Sequence, residues 1–291
     1  MGARLLQTIP YRSGDPPREA ELNGNFVKEI AMGTASAQGE LWGTRASDWA
    51  DVQEATFRPA YEAVLAAAGI GSGTALLDVG CGAGMFCELA AAKGARVSGL
   101  DAAAPLVAIA KARVPGGDFK VGEMEELTFQ DGSFDVVTGF NSFQYAASPV
   151  SALREARRVV RKGGVVIVMV WGRQEDCQAA VYIKALGSQL PPPPPGAPGP
   201  FALSQDGALE ALVKEAGLAP KALHDIDTPW EYPDLETALR GMLSAGPAIR
   251  AARHAGEQPV KEAVAQAIAP YRTTSGSYRL RNKSRYLLAL A

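Results

Sequence analysis

Residues 76–84 read Leu-Leu-Asp-Val-Gly-Cys-Gly-Ala-Gly, an apolar run that passes through a carboxylate into three glycines at alternate positions. The composition of Ala75 to Val79 predicts a buried strand, and the apolar spacing that follows predicts a helix from Gly84 to Lys93. The glycines therefore lie at a strand-to-helix turn, where they permit unusual backbone angles and leave helix N–H groups open to a ligand. Such a turn is typical of nucleotide-binding α/β folds.

The spacing of the glycines argues against a dinucleotide. A dinucleotide fingerprint has glycines at its first, third and sixth positions, whereas here the sixth position is Met85 and the third glycine, Gly84, comes one residue early. In addition, Asp78 would repel a phosphate at the end of the strand. A carboxylate there favours a cationic ligand such as S-adenosylmethionine, which carries an ammonium and a sulfonium and no phosphate.

A second carboxylate follows the next predicted strand. The strand from Arg96 to Leu100 ends in Asp101. A carboxylate at the tip of the second strand is placed to accept hydrogen bonds from both hydroxyls of a ribose. Taken together, the turn and the two aspartates favour a ligand that contains both a cation and a ribose.

These residues, Leu76 to Gly84 with Asp101, resemble the S-adenosylmethionine site of class I methyltransferases. The resemblance is to the group called methyltransferase type 11, which is related to the ubiquinone and menaquinone C-methyltransferases. Val121 to Leu127 resembles the loop after the third strand of that family, where an acidic side chain takes the adenine amino group and the next N–H meets the ring. By position these two residues are Glu123 and Met124. The resemblance extends over residues 42–220.

The resemblance implies S-adenosylmethionine as cofactor, S-adenosylhomocysteine as product, and a set of site residues. Arg45 is expected near the cofactor carboxylate, in a segment that closes over the cofactor, while Gln144 and Tyr145 face the substrate. For Phe143, ordinary core packing is an equally good interpretation. The residues assigned to the cofactor are Trp42, Arg45, Asp78, Gly80, Cys81, Gly82, Gly84, Asp101, Ala102, Glu123, Met124, Glu125, Asn141 and Phe143.

The expected fold is α/β: a Rossmann-like, seven-stranded, mostly parallel sheet whose last strand is antiparallel, flanked by helices and carrying a helical lid. Five strand-like segments alternate with helices between Ala75 and Trp171, which indicates a parallel sheet. The sixth strand is predicted from Lys221 to Trp230 and the last within Tyr278 to Leu290. The predicted divisions are an N-terminal arm or lid (1–48), the cofactor-binding core (49–172), a proline-rich lid segment (173–204), a continuation of the core (205–231), a helical lid insertion (232–275) and the last core strand (276–291).

Composition narrows the class of partner. The chain has 291 residues, of which 47% are hydrophobic, and 29 basic against 31 acidic residues give a net charge of −2. Without an excess of basic residues, nucleic acid is not an expected partner. Cys81, Cys87 and Cys177 form no Cys-x-x-Cys pair, so no metal site is expected. The sequence has no apolar run long enough to span a membrane, and we expect a cytoplasmic monomer or homodimer acting on a small molecule.

A general base is not evident from the sequence. Only His224 and His254 have side chains whose ordinary pKa lies near neutrality, and Tyr145 and Glu231 are comparable candidates. A substrate that is already nucleophilic, or that ionises in solution, would need none. The leading hypothesis is methyl transfer to oxygen, nitrogen or carbon of a small molecule, with a role in secondary metabolism. The alternatives are an S-adenosylmethionine-binding protein with non-methylating chemistry, an NAD-type oxidoreductase and a non-catalytic binding module.

Overall fold

The structure is a computed structural model that describes residues 33–194 and 196–291. Most of the N-terminal arm predicted over residues 1–48 therefore lies outside the described residues.

The core is a seven-stranded sheet in the order β3-β2-β1-β4-β5-β9-β6. The first five strands run parallel, and β9 is antiparallel to both of its neighbours, β5 and β6. This confirms the expected sheet. The strands in the described residues are β1 Ala75–Val79, β2 Arg96–Asp101, β3 Asp118–Val121, β4 Phe134–Phe140, β5 Val160–Trp171, β6 Ala219–Asp227, β7 Trp230–Tyr232, β8 Tyr278–Leu280 and β9 Lys283–Leu290.

Helices cover both faces of the sheet. A run of short helical turns, residues 46–57, joins the first two helices, and no helix in the described ranges has the length and apolar character that crossing a bilayer requires. The helices are α1 Ala35–Gly43, α2 Arg58–Ala67, α3 Met85–Ala92, α4 Ala104–Arg113, α5 Pro149–Val159, α6 Ala180–Gly187, α7 Ala208–Glu215, α8 Leu235–Met242, α9 Gly246–Ala255 and α10 Glu257–Ile268.

The central strand β1 is buried on both faces because its side chains alternate between two cores. Leu76 packs in the cluster that contains Phe86 of α3, whereas Leu77 packs in the cluster that contains Leu153 of α5. A parallel strand between two helix layers needs apolar residues on both faces, which explains why every residue of this segment except Asp78 is apolar. The strand thereby holds the glycine turn at a fixed point of the sheet edge.

Two predicted strand limits differ from the structure. The sixth strand ends at Asp227 rather than Trp230, because Thr228 leaves the sheet and its N–H donates to the carbonyl of Asn282 at 2.8 Å. The last segment divides into β8 and β9 at Asn282, which is buried and whose Oδ1 accepts the N–H of Ala179 at 2.8 Å. As a result β7 and β8 pair in a separate two-stranded sheet.

Residues between β7 and β8 form three helices, α8, α9 and α10, in the region predicted as a helical insertion. Helix α9 packs closely on α1: a Cβ added at Gly246 would lie 2.6 Å from Nε1 of Trp42. The hydroxyl of Tyr182, on α6, donates to the carbonyl of Met242 at 2.8 Å. The insertion is therefore anchored to both α1 and α6.

Gly84 allows α3 to pack against α4, and its replacement tests this. Its φ is +84°, and an added Cβ would lie 2.8 Å from Cβ of Ala110. Gly73 has a similar φ of +81° but open space around the added Cβ. We expect Gly84→Ala to lower the free energy of unfolding by about 1 to 3 kcal/mol more than Gly73→Ala, since both strain the backbone and only the first creates a clash. Urea unfolding of both variants measures the difference, and equal losses would contradict the steric argument.

Candidate active site

A cleft of about 770 Å³ lies at the carboxyl ends of β1, β2 and β4. This is the edge at which parallel α/β sheets bind ligands. The turn after β1, the loop after β3 and the start of the segment after β4 form its walls, and α1 contributes one side. Its lining residues are Thr34, Ala35, Gln38, Trp42, Trp49, Phe57, Tyr61, Gly80, Gly82, Leu100, Asp101, Ala102, Leu106, Gly122, Glu123, Met124, Phe140, Asn141, Ser142 and Tyr145.

The glycine turn is joined to the neighbouring strands by backbone contacts. The N–H of Gly80 donates to the carbonyl of Leu100 at 2.7 Å, and the hydroxyl of Ser142 donates to the carbonyl of Val79 at 2.6 Å. Gly80 has a φ of +77°, and a Cβ there would lie 2.3 Å from Cβ of Ser142. Glycine is therefore required at residue 80 by its backbone conformation and by the close approach of the chain after β4.

Asp101 connects this turn to the end of β2. Its Oδ2 accepts the N–H of Gly82 at 2.9 Å and its Oδ1 accepts the N–H of Ala103 at 2.8 Å. Burial raises the pKa of this carboxyl, while the N–H groups of Ala103 and Gly82 act in the opposite direction. Each carboxylate oxygen retains capacity for another hydrogen bond, so Asp101 can receive the hydroxyl groups of a ligand in the cleft.

Glu123 fastens α1 beside the cleft. Its Oε2 accepts the N–H of Ala35, the first residue of α1, at 2.9 Å, and its Oε1 accepts the N–H of Glu125 at 3.2 Å. The backbone of Gly39 comes so close to the loop after β2 that an added Cβ would lie 2.3 Å from the carbonyl oxygen of Ala102. Glu123 and the adjacent Met124 thus form a wall on which α1 closes.

The opposite wall follows β4. Asn141 has a φ of +50°, and its N–H donates to the carbonyl of Met169 at 2.9 Å. The main-chain oxygen of Tyr145 accepts the hydroxyl of Thr34 at 2.7 Å, and burial raises the pKa of the Tyr145 phenol to about 12. The Tyr145 phenol is therefore protonated at neutral pH.

Six residues that the sequence assigns to the cofactor do not line the cleft. The guanidinium of Arg45 is paired with Asp48 at 2.8 Å. Phe143 is buried against Gly139, and a Cβ added at Gly139 would lie 2.3 Å from the Phe143 ring. Cys81 is buried, and Gly84 faces α4. Oε1 of Glu125 accepts the N–H of Ser148 at 3.2 Å. The sixth residue is Asp78.

Asp78 lies behind the glycine turn, with 2% of its surface exposed. Its Oδ1 accepts the hydroxyl of Thr138 at 2.7 Å. Its pKa is raised to about 7, mainly by burial; the Thr138 hydrogen bond opposes this rise, and the negative charges of Asp101 and Glu54 add to it. The side chain therefore titrates near neutral pH, beneath the site rather than on its surface.

Three of the four candidate bases lie outside both cavities described here. His224 is exposed on β6, with its ring centre 5.1 Å from that of Tyr286, and His254 is exposed on α9. Glu231, on β7, pairs with Arg279 at 2.9 Å. Tyr145 is the remaining candidate, and it lines the cleft.

A second cavity, of about 1810 Å³ including its open mouth, adjoins the cleft. Gln144 lines it, and the contact with substrate expected of this residue stays a prediction. Its walls come from residues 46–57, the segment after β4, α6, the proline-rich segment, β7 and the insertion. The residues common to both cavities are Trp42, Trp49, Phe57, Asn141 and Tyr145.

A buried ion pair that was not predicted from the sequence holds residues 46–57 against the glycine turn. Glu54, which is 2% exposed, is paired with Arg113 of α4 and accepts the N–H of Met85 at 3.3 Å. Arg113 also donates to the carbonyls of Ala83 at 3.1 Å and Ala50 at 2.9 Å. Burial raises the pKa of Glu54, whereas the charge of Arg113 opposes the rise. Because the partners are 59 residues apart in the chain, no local pattern reveals them.

The charges of the cleft indicate which ligand fits. The charged residues among its described lining residues are Asp101 and Glu123, both acidic. No lysine or arginine is among the described residues that line it, so this part of the cleft suits a ligand with positive charge and hydroxyl groups better than a diphosphate. The described residues also include no cluster of three or more metal-ligating side chains. S-adenosylmethionine fits this donor and charge set.

The raised pKa of Asp78 predicts a pH-dependent stability. The folded protein keeps the Asp78 carboxyl protonated up to about pH 7, whereas the unfolded chain loses this proton near pH 3.8. The contribution of Asp78 to the free energy of unfolding therefore falls as pH rises between these values. Asp78→Asn keeps an acceptor for Thr138 and has no proton to lose. We expect its free energy of unfolding, relative to that of the unsubstituted protein, to be about 2 kcal/mol higher at pH 8 than at pH 5. Urea unfolding at both pH values measures this. The exposed Glu88→Gln serves as control, and an Asp78→Asn difference that is the same at both pH values would contradict the prediction.

Comparison with known proteins agrees with this site. Residues 77–168 match the family model described as a methyltransferase domain. A malonyl-[acyl-carrier protein] O-methyltransferase of Erwinia pyrifoliae is 28% identical over 60% of this chain and 63% of that protein. A ubiquinone biosynthesis O-methyltransferase of Bordetella bronchiseptica is 28% identical over 66% of this chain and 83% of that protein. The alignment with the first of these relatives thus spans less than two thirds of its length.

Among solved structures, the YcgJ protein of Bacillus subtilis superposes with a TM-score of 0.54 over 79% of this chain and 97% of that chain, at 18% identity. This similarity bears on the fold alone. The glycine turn and Asp101 both lie within the matched residues, so the fold and the comparison agree that residues 77–168 are similar to a methyltransferase domain.

Proposed function

We propose that this protein transfers the methyl group of S-adenosylmethionine to an oxygen atom of a small organic molecule. The observation that carries the proposal is the pair of adjoining cavities, an acidic cleft beside the glycine turn and a larger apolar cavity joined to it through shared residues. A group-transfer enzyme needs two such sites, since the donor and the acceptor must meet in line. Oxygen is favoured as the methylated atom because both relatives described above are named as O-methyltransferases.

The described residues supply plausible contacts for each part of the cofactor. Asp101 would accept the ribose hydroxyls, and Glu123 with the N–H of Met124 would meet the adenine. Asn141 would border the methionine portion. When bound, S-adenosylmethionine supplies a methyl carbon activated by the positive charge on the adjacent sulfur.

The remaining contribution of the chain is to align the acceptor and exclude water. Trp42, Trp49 and Tyr145 lie where the two cavities meet. The ring centre of Trp42 lies 5.0 Å from that of Trp49 and 5.7 Å from that of Tyr145. Such an aromatic wall restricts the orientation of a bound ring and keeps water from the reacting atoms. We propose that residues 33–48, 173–204 and 232–275 together form the lid of this site. A role in secondary metabolism and a monomeric or homodimeric state stay predictions.

Cofactor binding tests the proposal directly. S-adenosylhomocysteine should bind and NAD should not, because no cation among the described lining residues would compensate for a diphosphate. We expect Asp101→Asn to weaken binding of S-adenosylhomocysteine about tenfold or more, since a hydrogen bond to a charged group contributes about 1.5 to 3 kcal/mol. Calorimetric titration measures both ligands.

Glu88→Gln, which removes an exposed carboxylate of α3 outside the cleft, is the matched control and should bind as the unsubstituted protein does. Binding of NAD in preference to S-adenosylhomocysteine would overturn the proposed function. Equal affinities for Asp101→Asn and the control would refute the role given to Asp101.

A further inference from the structure

The second cavity has walls suited to a bulky, ring-bearing molecule. All four tryptophans of the chain line it, namely Trp42, Trp49, Trp171 and Trp230. The ring centres of Trp171 and Trp230 lie 5.5 Å apart, and that of Tyr182 lies 5.7 Å from Trp230. Aromatic walls of this extent bind most favourably a ligand that is itself largely apolar and flat.

The polar groups of this cavity are mainly donors. Arg250 is the charged residue among its described lining residues, and it forms no ion pair with any described residue. Nε1 of Trp230, a residue 3% exposed, is buried without a hydrogen-bond partner. Because a buried donor left unpaired is unfavourable, this N–H group favours a ligand that brings an oxygen acceptor. Oε1 of Gln144 is also unpartnered, and its amide can present either end.

The described lining residues of the cavity also include no group that could remove a proton near neutral pH. No aspartate, glutamate, histidine, lysine or cysteine is among its described lining residues. The Tyr145 phenol has its pKa raised to about 12 by burial, and the hydroxyl of Tyr182 already donates to the carbonyl of Met242 at 2.8 Å. An oxygen that reacts here must therefore have lost its proton before it binds.

Helix α9 brings a positive charge to the place where the cavities meet. Gly246 packs directly on Trp42, which lines both cavities. Arg250 follows Gly246 by four residues, so it lies on the same helix face and one turn away. An anion whose reactive oxygen lies at this junction would have Arg250 beside it.

We propose that the second cavity binds an apolar, ring-bearing organic anion, and that its ionised oxygen, held by Arg250 and the indole N–H of Trp230, is the atom that is methylated. This inference rests on the proposed function and names its substrate class. The ionised oxygen forms the new bond to the methyl carbon, and the electron pair of the broken carbon–sulfur bond stays on sulfur. The charges of oxygen and sulfur are both neutralised, and no proton has to leave. A carboxylate and an acidic enol or phenol share this chemistry.

Two fluorescent probes with the same ring system separate charge from shape. Anilinonaphthalene sulfonate is the anion and phenylnaphthylamine is its counterpart without the sulfonate, and quenching of the four cavity tryptophans reports where they bind. We expect the sulfonate to bind more tightly than the neutral amine. Arg250→Gln should weaken binding of the sulfonate at least about threefold at low ionic strength, because an exposed arginine contributes up to about 1 kcal/mol. The same change should alter the affinity for the neutral amine less than about twofold. Trp230→Phe, which keeps a ring and removes the N–H, should weaken the sulfonate about two- to tenfold.

Arg272→Gln is the matched control, because Arg272 is exposed and does not line the cavity. Anilinonaphthalene sulfonate should bind this variant and the unsubstituted protein equally. Binding of S-adenosylhomocysteine, measured in parallel, should be the same in every variant, so a failure of the cofactor proposal is seen separately. The inference is overturned if the sulfonate does not bind, if the neutral amine binds as tightly, or if Arg250→Gln weakens both probes alike. Naphthoate and naphthol, used as competitors of the sulfonate, then distinguish a carboxylate acceptor from a hydroxyl acceptor. Stronger displacement of the sulfonate by naphthoate supports a carboxylate. Displacement by naphthol that increases as naphthol ionises supports an acidic hydroxyl.

Discussion

The carboxylate of Asp101 makes the two hydrogen bonds on which the geometry of the site depends. By accepting the N–H groups of Gly82 and Ala103, it ties the turn after β1 to the end of β2. Both strands are held by cores on either side of the sheet, so the turn has little freedom to move. The same carboxylate remains in the cleft with capacity for a ligand. One side chain therefore shapes the loop and offers a binding group.

The two cavities differ in charge, and this difference organises the proposed chemistry. Acidic groups line the cofactor cleft, whereas the larger cavity has Arg250 and the unpaired indole N–H of Trp230 among its described lining residues. A cationic donor and an anionic acceptor would each be attracted to its own side and brought together at Asn141 and Tyr145. In a partly closed, apolar site such interactions are screened less than at an open surface. Alignment and charge neutralisation would then provide the catalysis, without a side-chain base.

Segments distant in the sequence enclose this junction. Helix α1 is fastened through Glu123, residues 46–57 through the Glu54–Arg113 pair, and α9 through the packing of Gly246 on Trp42. Each contact joins the edge of the site to a residue of the sheet core or to a neighbouring helix. The connection between Glu123 and Ala35 also means that a group proposed to meet the cofactor helps to position α1.

The sequence by itself determined the parallel strands, the glycine turn and the place of Asp101 at the end of a strand. These follow from period, glycine spacing and strand ends, which are local properties of the chain, whereas the antiparallel last strand and the roles expected of Glu123 and Met124 came from the family resemblance. It did not determine that Asp78 lies beneath the site, that Arg45 pairs with Asp48, that Asn282 divides the last strand, or that four tryptophans line one cavity. Those features depend on contacts between residues far apart in the chain, and only the tertiary structure decides which side chains share a surface. The local pattern thus points to the methyl donor, whereas the folded chain supplies the observations from which the acceptor is inferred.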